Sequence, residues 1–272
     1  MTDPLDRIAA ALDRIAPPEP ASADPLTHPA YVWRGPTLAA ARDFVALPLD
    51  RLRGIDEQKA ALTTNLERLA SGAAAHDMLL WGARGTGKSA LVKSAVAAVQ
   101  TGGGALALVE VATHRLDTLP ALFATLAPLH RAFALFVDDL GFDAAHDARA
   151  LRSMLEGGAE ARPGNARLIV TSNRRHLIPR NLAEQESAIN PRDAVDDNLA
   201  LADRFGLSLG FHVVDQPGYL AIVQGYVEVH DLPFDPADAI GWATRRGSRS
   251  GRVAWHYVVD LAGRHGKALR SD

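Results

Sequence analysis

Cysteine is missing altogether from the 272-residue chain. That absence excludes disulfides, thiolate zinc sites and cysteine nucleophiles, and it fits a reducing compartment. Long apolar runs are missing too, since none approaches the roughly 20 residues that span a bilayer. The opening stretch MTDPLDRIAAALDRIAPPEP lacks the charged-then-apolar order of a signal peptide. A cytoplasmic location with no membrane partner is the expectation. Charge of one sign is also scarce. The net charge is −3, so the whole molecule is no electrostatic trap for nucleic acid, and any basic surface must be local. The ten histidines form no HExxH or other paired metal spacing, and His130, His212 and His230 read as surface or packing residues. No G-x-S-x-G nucleophile elbow appears. What is there is ordinary for a globular protein: 47% hydrophobic and 22% charged residues, enough for one full core and a small satellite domain.

Composition divides the chain. Residues 1–50 read as an arm or linker. Six of the 16 prolines lie within the first 30 residues (Pro4, Pro17, Pro18, Pro20, Pro25, Pro29). Inside that stretch Leu5, Ile8, Leu12 and Ile15 recur at helical spacing. Such a helix either docks on its own body or offers an arm to a partner. The aromatics of AYVW are expected to pack against the main domain. A helix is predicted from Asp56 to Ala70.

From His76 to Val214 strands and helices alternate, which is the pattern of a parallel sheet covered on both faces. Five strands are predicted in DMLLWG, ALALVEVA, AFALFVDDL, ARLIVTSN and LSLGFHVV. Helices are predicted over Lys88–Gln100, in DTLPALFATLAP and in DARALRSMLEGG. A long polar connection with a short helix fills residues 174–206. After Pro217 only helical patterns remain. The expected architecture is α/β, with a five-stranded parallel sheet sandwiched by helices over 51–215 and a small helical lid over 216–272.

The stretch Gly82-Ala83-Arg84-Gly85-Thr86-Gly87-Lys88-Ser89 satisfies G-x-x-x-x-G-K-[ST] in full, with a buried strand entering and a helix leaving. Glycines let the backbone turn its N–H groups toward phosphates, and the helix adds its positive end. Lys88 is expected to reach the β- and γ-phosphates of ATP, and the Ser89 hydroxyl to ligate Mg²⁺. Ala90, next on the helix, completes the expected nucleotide-binding set. The acids Asp138 and Asp139 follow four apolar residues at a strand tip. Asp138 is expected to hold Mg²⁺ and Asp139 to orient the attacking water. Asn173 ends another strand, where its amide could sit between the γ-phosphate and that water.

Phosphoryl transfer also needs positive charge on the developing oxygens. Arg204 stands just before the fifth predicted strand, and Arg252 at the start of the last helix. In this order the motifs resemble the AAA+ ATPase plan over about residues 50–272. The stretches GIDEQKAAL, LLWGARGTGKSALVK, LRSMLEGGAEARPGNARLIVTSNRRHLIPRN, LADRFGLSLGF and RSGRVAW are similar to the predicted bacterial ATPases of the domain-of-unknown-function 815 family. The resemblance implies Asn173 as first sensor and Arg252 as second sensor. It also implies that Arg204 acts on a neighbouring subunit's nucleotide, and that Ile55, Asp56 and Gln58 border the adenine. A homo-oligomer acting on an unidentified protein partner follows from it. Asp139 departs from the glutamate common in AAA+ enzymes, so turnover is either ordinary or slow and switch-like.

Residues 241–272 hold seven Lys/Arg against two acids. They serve either a lid facing ATP, with cationic helix ends, or a nucleic-acid contact; no helix-turn-helix pattern accompanies them. The connection around 180–200 either grips a partner or is a disordered loop. A small-molecule kinase would need an acceptor-binding segment, and none stands out.

Overall fold

A computed structural model describes residues 3, 4, 7, 22–141, 151, 155, 162–173 and 203–269. The amphipathic pattern at Leu5–Ile15 and the 180–200 connection lie outside them. So does the helix expected over 147–158, apart from Leu151 and Leu155, two buried helical positions.

The sheet has seven strands rather than five. They are β1 (Ala30–Trp33), β2 (Leu38–Ala40), β3 (Met78–Gly82), β4 (Leu106–Val111), β5 (Ala132–Val137), β6 (Ala166–Ser172) and β7 (Leu207–Phe211), in the order β2-β1-β4-β5-β6-β3-β7. The five expected strands are all present and mutually parallel. Two strands from the stretch read as an arm extend that sheet: β1 runs parallel to β4, and β2 returns antiparallel as the edge. Tyr31 and Trp33 point into the core, with the Tyr31 hydroxyl donating to the Asp24 carbonyl and the Trp33 indole to Thr118 Oγ1. Residues 30–40 are therefore part of the α/β body, because their aromatics need the sheet's apolar face.

The helices traced in full among the described residues are α1 (Asp56–Ala70), α2 (Lys88–Thr101), α3 (Leu119–Leu126), α4 (Gln216–Val229), α5 (Pro236–Arg245) and α6 (Gly251–Arg264). All six residues of β5 are buried, a pattern that only a sheet covered on both faces can produce. On one face α1 presents Leu62, Leu66 and Leu69, three and four residues apart, beside Leu91, Val92 and Val96 of α2. On the other, Leu119, Leu122 and Leu126 of α3 pack with Phe133, Leu135 and Phe205. Each such side chain contributes about 1.5–3 kcal/mol by burial.

The three C-terminal helices form a core of their own from Tyr219, Val223, Ala239, Tyr257, Val258 and Leu261. Each starts on a side-chain cap: Asp215 accepts from Gly218 N, Asp235 from Ala237 N, and Ser250 from Val253 N. Such a cap stabilises a helix by about 1 kcal/mol.

Candidate phosphate-binding site

β6 lies between β3 and β5, so three strand tips converge on one crevice. The loop after β3 is glycine-built for geometric reasons. Gly82, Gly85 and Gly87 have φ of 132°, 75° and 92°, which side-chain-bearing residues rarely adopt. A Cβ on Gly82 would lie 2.0 Å from the Phe211 carbonyl oxygen of β7. One on Gly85 would lie 2.7 Å from Ser250 Cβ, at the start of α6. Thr86 closes the loop by donating to the Ala83 carbonyl at 2.8 Å.

Lys88 is 5% exposed. Its ammonium donates to the carbonyls of Gly82 (2.9 Å) and Ala83 (2.8 Å) and to Asn173 Oδ1 (3.1 Å). Burial lowers its pKa from the ordinary lysine value; the charges of Asp139 and Asp138 pull it back up, and Arg84 pushes it down. The next residue, Ser89, donates its hydroxyl to Asp138 Oδ1 at 2.6 Å. A serine hydroxyl beside one carboxylate is a hard-oxygen pair suited to Mg²⁺, with phosphate and water as the remaining ligands. Among the described residues no group of three or more His, Asp or Glu could hold a metal ion.

Thr171 of β6 links the two acids. Its hydroxyl donates to Asp138 Oδ1 at 2.5 Å and accepts from the backbone N–H of Asp139 at 2.8 Å. Asp139 turns at φ 53°, a left-handed conformation that Asp tolerates better than most residues. Its carboxylate accepts from the Asn173 amide and lies 3.6 Å from the Arg84 guanidinium. Lys88, Ser89, Asp138, Asp139 and Asn173 thus form one connected set. Thr171 stands two residues before Asn173 and hence on the same strand face, a position outside the sequence motifs of the site.

The set opens into a cleft of about 1010 Å³ between the body and the C-terminal helices. Loop residues Arg84 to Ala90, with Ile55, Gln58 and Arg252, line it. Ile55 Cδ1 lies 3.8 Å from where a Cβ of Gly87 would stand. Gln58 Nε2 donates to the Gly210 carbonyl at 2.9 Å, tying α1 to β7 at the cleft wall. Gly82 and Ala83 sit behind the loop as acceptors for Lys88. Unforeseen lining residues include Arg51, Arg53, Asp215, Tyr226 and Trp255. Tyr226 and Trp255 pack with ring centroids 5.2 Å apart, and their helical spacing hid them among core residues.

Arg204 is not brought to this site. It precedes β7, whose far end, Phe211, pairs with Gly82. At about 3.3 Å per residue the strand alone separates them by roughly 13 Å. Arg252 is exposed on the cleft side of α6. That helix touches the phosphate loop directly, since Gly251 N donates to the Gly85 carbonyl at 3.0 Å.

The fold has solved relatives. The branch-migration motor RuvB of Thermotoga maritima, which acts at Holliday junctions, superposes with a TM-score of 0.51 at 18% identity, over 83% of this chain and 68% of that one. Orc1 of Aeropyrum pernix, solved in complex with DNA, superposes with a TM-score of 0.53 at 16% identity, over 83% of this chain and 63% of its own. Both have the AAA+ P-loop fold, and at these identities the likeness is one of fold. No curated protein matches the chain in sequence. The family described as "Protein of unknown function (DUF815)" matches residues 26–265, and the chain belongs to that family, built on the AAA+ fold.

Proposed function

We propose that this chain binds ATP in the cleft and hydrolyses it with Mg²⁺, driving a conformational change on a macromolecular partner, with active sites completed between subunits. The carrying observation is the hydrogen-bonded set that joins Lys88, Ser89, Asp138, Asp139, Thr171 and Asn173 at three adjacent strand tips. Mg²⁺ held by Ser89 and Asp138 would neutralise charge on the phosphate oxygens. Lys88, already aimed into the loop, would exchange its carbonyl partners for the β- and γ-oxygens. Asp139 would accept a proton from the attacking water, and Asn173 would hold that water's position. Apolar Ile55 beside the loop, with Gln58 fixed at the wall, suits the adenine.

Arg204 supports the assembly. It cannot reach its own chain's phosphates across β7, so a role in phosphoryl transfer requires a neighbouring copy. ATP turnover measured against protein concentration tests this. Specific activity should rise with concentration, and Arg204→Ala should bind ATP yet turn over at least 100-fold more slowly, on the order of an arginine's contribution to such transfer. Full activity in that variant would remove the inter-subunit reading.

A second reading, a slow nucleotide-gated switch, draws on Asp139. Asp is one methylene shorter than Glu, and its carboxylate is engaged by Asn173 and faces Arg84. Tight ATP binding with negligible turnover at every concentration would favour it.

A further inference from the structure

The C-terminal helices concentrate cationic charge at one turn that ATP chemistry does not use in full. From Arg245, which ends α5, to Arg252, the second residue of α6, eight residues carry four arginines and no acid. Residues 244–249 are all exposed, and none has an apolar side chain. The nearest acids on the two helices, Asp238 and Asp260, are both held by Arg264, at 2.8 and 3.0 Å. Among the described residues none of the four arginines forms an ion pair.

The turn is ordered, not a loose tail. Gly247 takes φ 64°, and the N–H groups of Gly247 and Ser248 donate to the carbonyls of Thr244 (3.1 Å) and Ala243 (3.3 Å). Arg246 is exposed and lies over the Trp242 ring, 4.7 Å from its centroid, a contact that holds its guanidinium at the turn. A guanidinium held there offers an unpaired base a surface to stack on.

We propose that this turn binds the backbone of a single-stranded nucleic acid, with Arg245, Arg246 and Arg249 on successive phosphates. Three features select that partner. Guanidinium forks match phosphate oxygens. The Arg246 guanidinium held over Trp242 offers a base platform. A lipid surface would call for apolar side chains to insert, and the turn has none.

The turn is also joined to the phosphate loop. Arg249 is followed by Ser250, packed against Gly85, and by Gly251, which donates to the Gly85 carbonyl. A strand held at the turn therefore loads the element that touches the nucleotide site, and strand and ATP should change each other's affinity by the same factor. This coupling rests on the ATP-binding reading above; the strand site itself does not.

The test uses the full chain, a fluorescent oligothymidylate of about 30 nucleotides and a salt series, with each lost phosphate contact lowering the salt slope by about 0.7. Arg245→Gln/Arg246→Gln/Arg249→Gln should lower the slope by about 2 and weaken binding by roughly 100-fold at low salt, while fluorescent ATP analogue binds as in wild type. Arg249→Gln alone, at an exposed position, should lower the slope by about 0.7 and guards against a folding artefact in the triple variant. Unchanged oligonucleotide binding in both variants would overturn the proposal. So would a wild type that ignores the oligonucleotide at low salt but is captured by phosphatidylserine vesicles. Lys88→Ala should still bind the oligonucleotide. If wild type binds the strand but no ATP, the strand site stands and the ATPase reading fails.

Discussion

The body and the C-terminal helices meet at the phosphate loop, but they contribute to it differently. On the body side nearly every polar atom of the site is already engaged. Lys88 has three acceptors, and a single threonine hydroxyl serves both acids. The helical side brings a backbone N–H at Gly251, the exposed side chain of Arg252 and the packed rings of Tyr226 and Trp255. A preformed body suits ground-state binding of phosphates, since little ordering remains to be done when the nucleotide enters. A helical lobe joined to the phosphate loop itself by the Gly251–Gly85 backbone bond suits response, because that contact can be exchanged when the phosphates change. Affinity for nucleotide should therefore reside in the body, and the response to it in the lid.

The largest expected effect breaks the body side. Lys88→Ala removes the buried cation and should weaken nucleotide binding by about 100-fold or more, read by titration with a fluorescent ATP analogue. Binding within threefold of wild type would place affinity elsewhere. Thr171→Val keeps the side chain's shape and removes the hydroxyl. It leaves the Asp139 N–H without its acceptor, at a cost of about 1–3 kcal/mol, visible in denaturant unfolding. With Asp138 and the Asp139 backbone each losing one partner while Ser89 and Asn173 still hold the two carboxylates, turnover should fall by about 10-fold while ATP affinity stays within a few-fold. The smallest effect sharpens the lid side. Arg264 beside Asp238 holds that carboxyl below its ordinary value of 3.8, chiefly through their hydrogen bond. A lowered carboxyl pKa means that the pair's contribution is whole above the unfolded value and fades as pH falls through the folded one. Both groups are well exposed, so solvent screening keeps the contribution below about 1 kcal/mol. Arg264→Met should lower the lid's melting temperature slightly at neutral pH and leave it unchanged near pH 2.

The parts of this molecule legible from sequence were those whose signal is carried by side-chain type at fixed spacing. The glycine loop after an apolar strand, the paired acids after four apolar residues, and the helical patterns after Pro217 all fall in that class. β1 and β2 were not legible because strands of four and three residues are too short for alternation to show, and their proline-rich approach resembles a linker. The role of Thr171 depends on register, with β6 laid beside β5 so that Val170 pairs with Val137 and Thr171 comes beside Asp138. The join between lid and phosphate loop runs through the N–H of Gly251 and the carbonyl of Gly85, and backbone groups leave no trace in residue identity. The resemblance assigns Arg204 to a neighbouring subunit's nucleotide, and its distance from its own phosphate loop rests on the strand topology, with that loop at the far end of β7.

The most direct test of the site is Asp139→Asn, assayed for ATP binding and for phosphate release on the same preparation. The amide preserves size and can still bond to Asn173, but it cannot take a proton from water. ATP should bind within a few-fold of wild type, while phosphate release should fall by about 100-fold or more. Phosphate release equal to wild type would contradict the assignment of Asp139, and with it the proposed chemistry of the three strand tips.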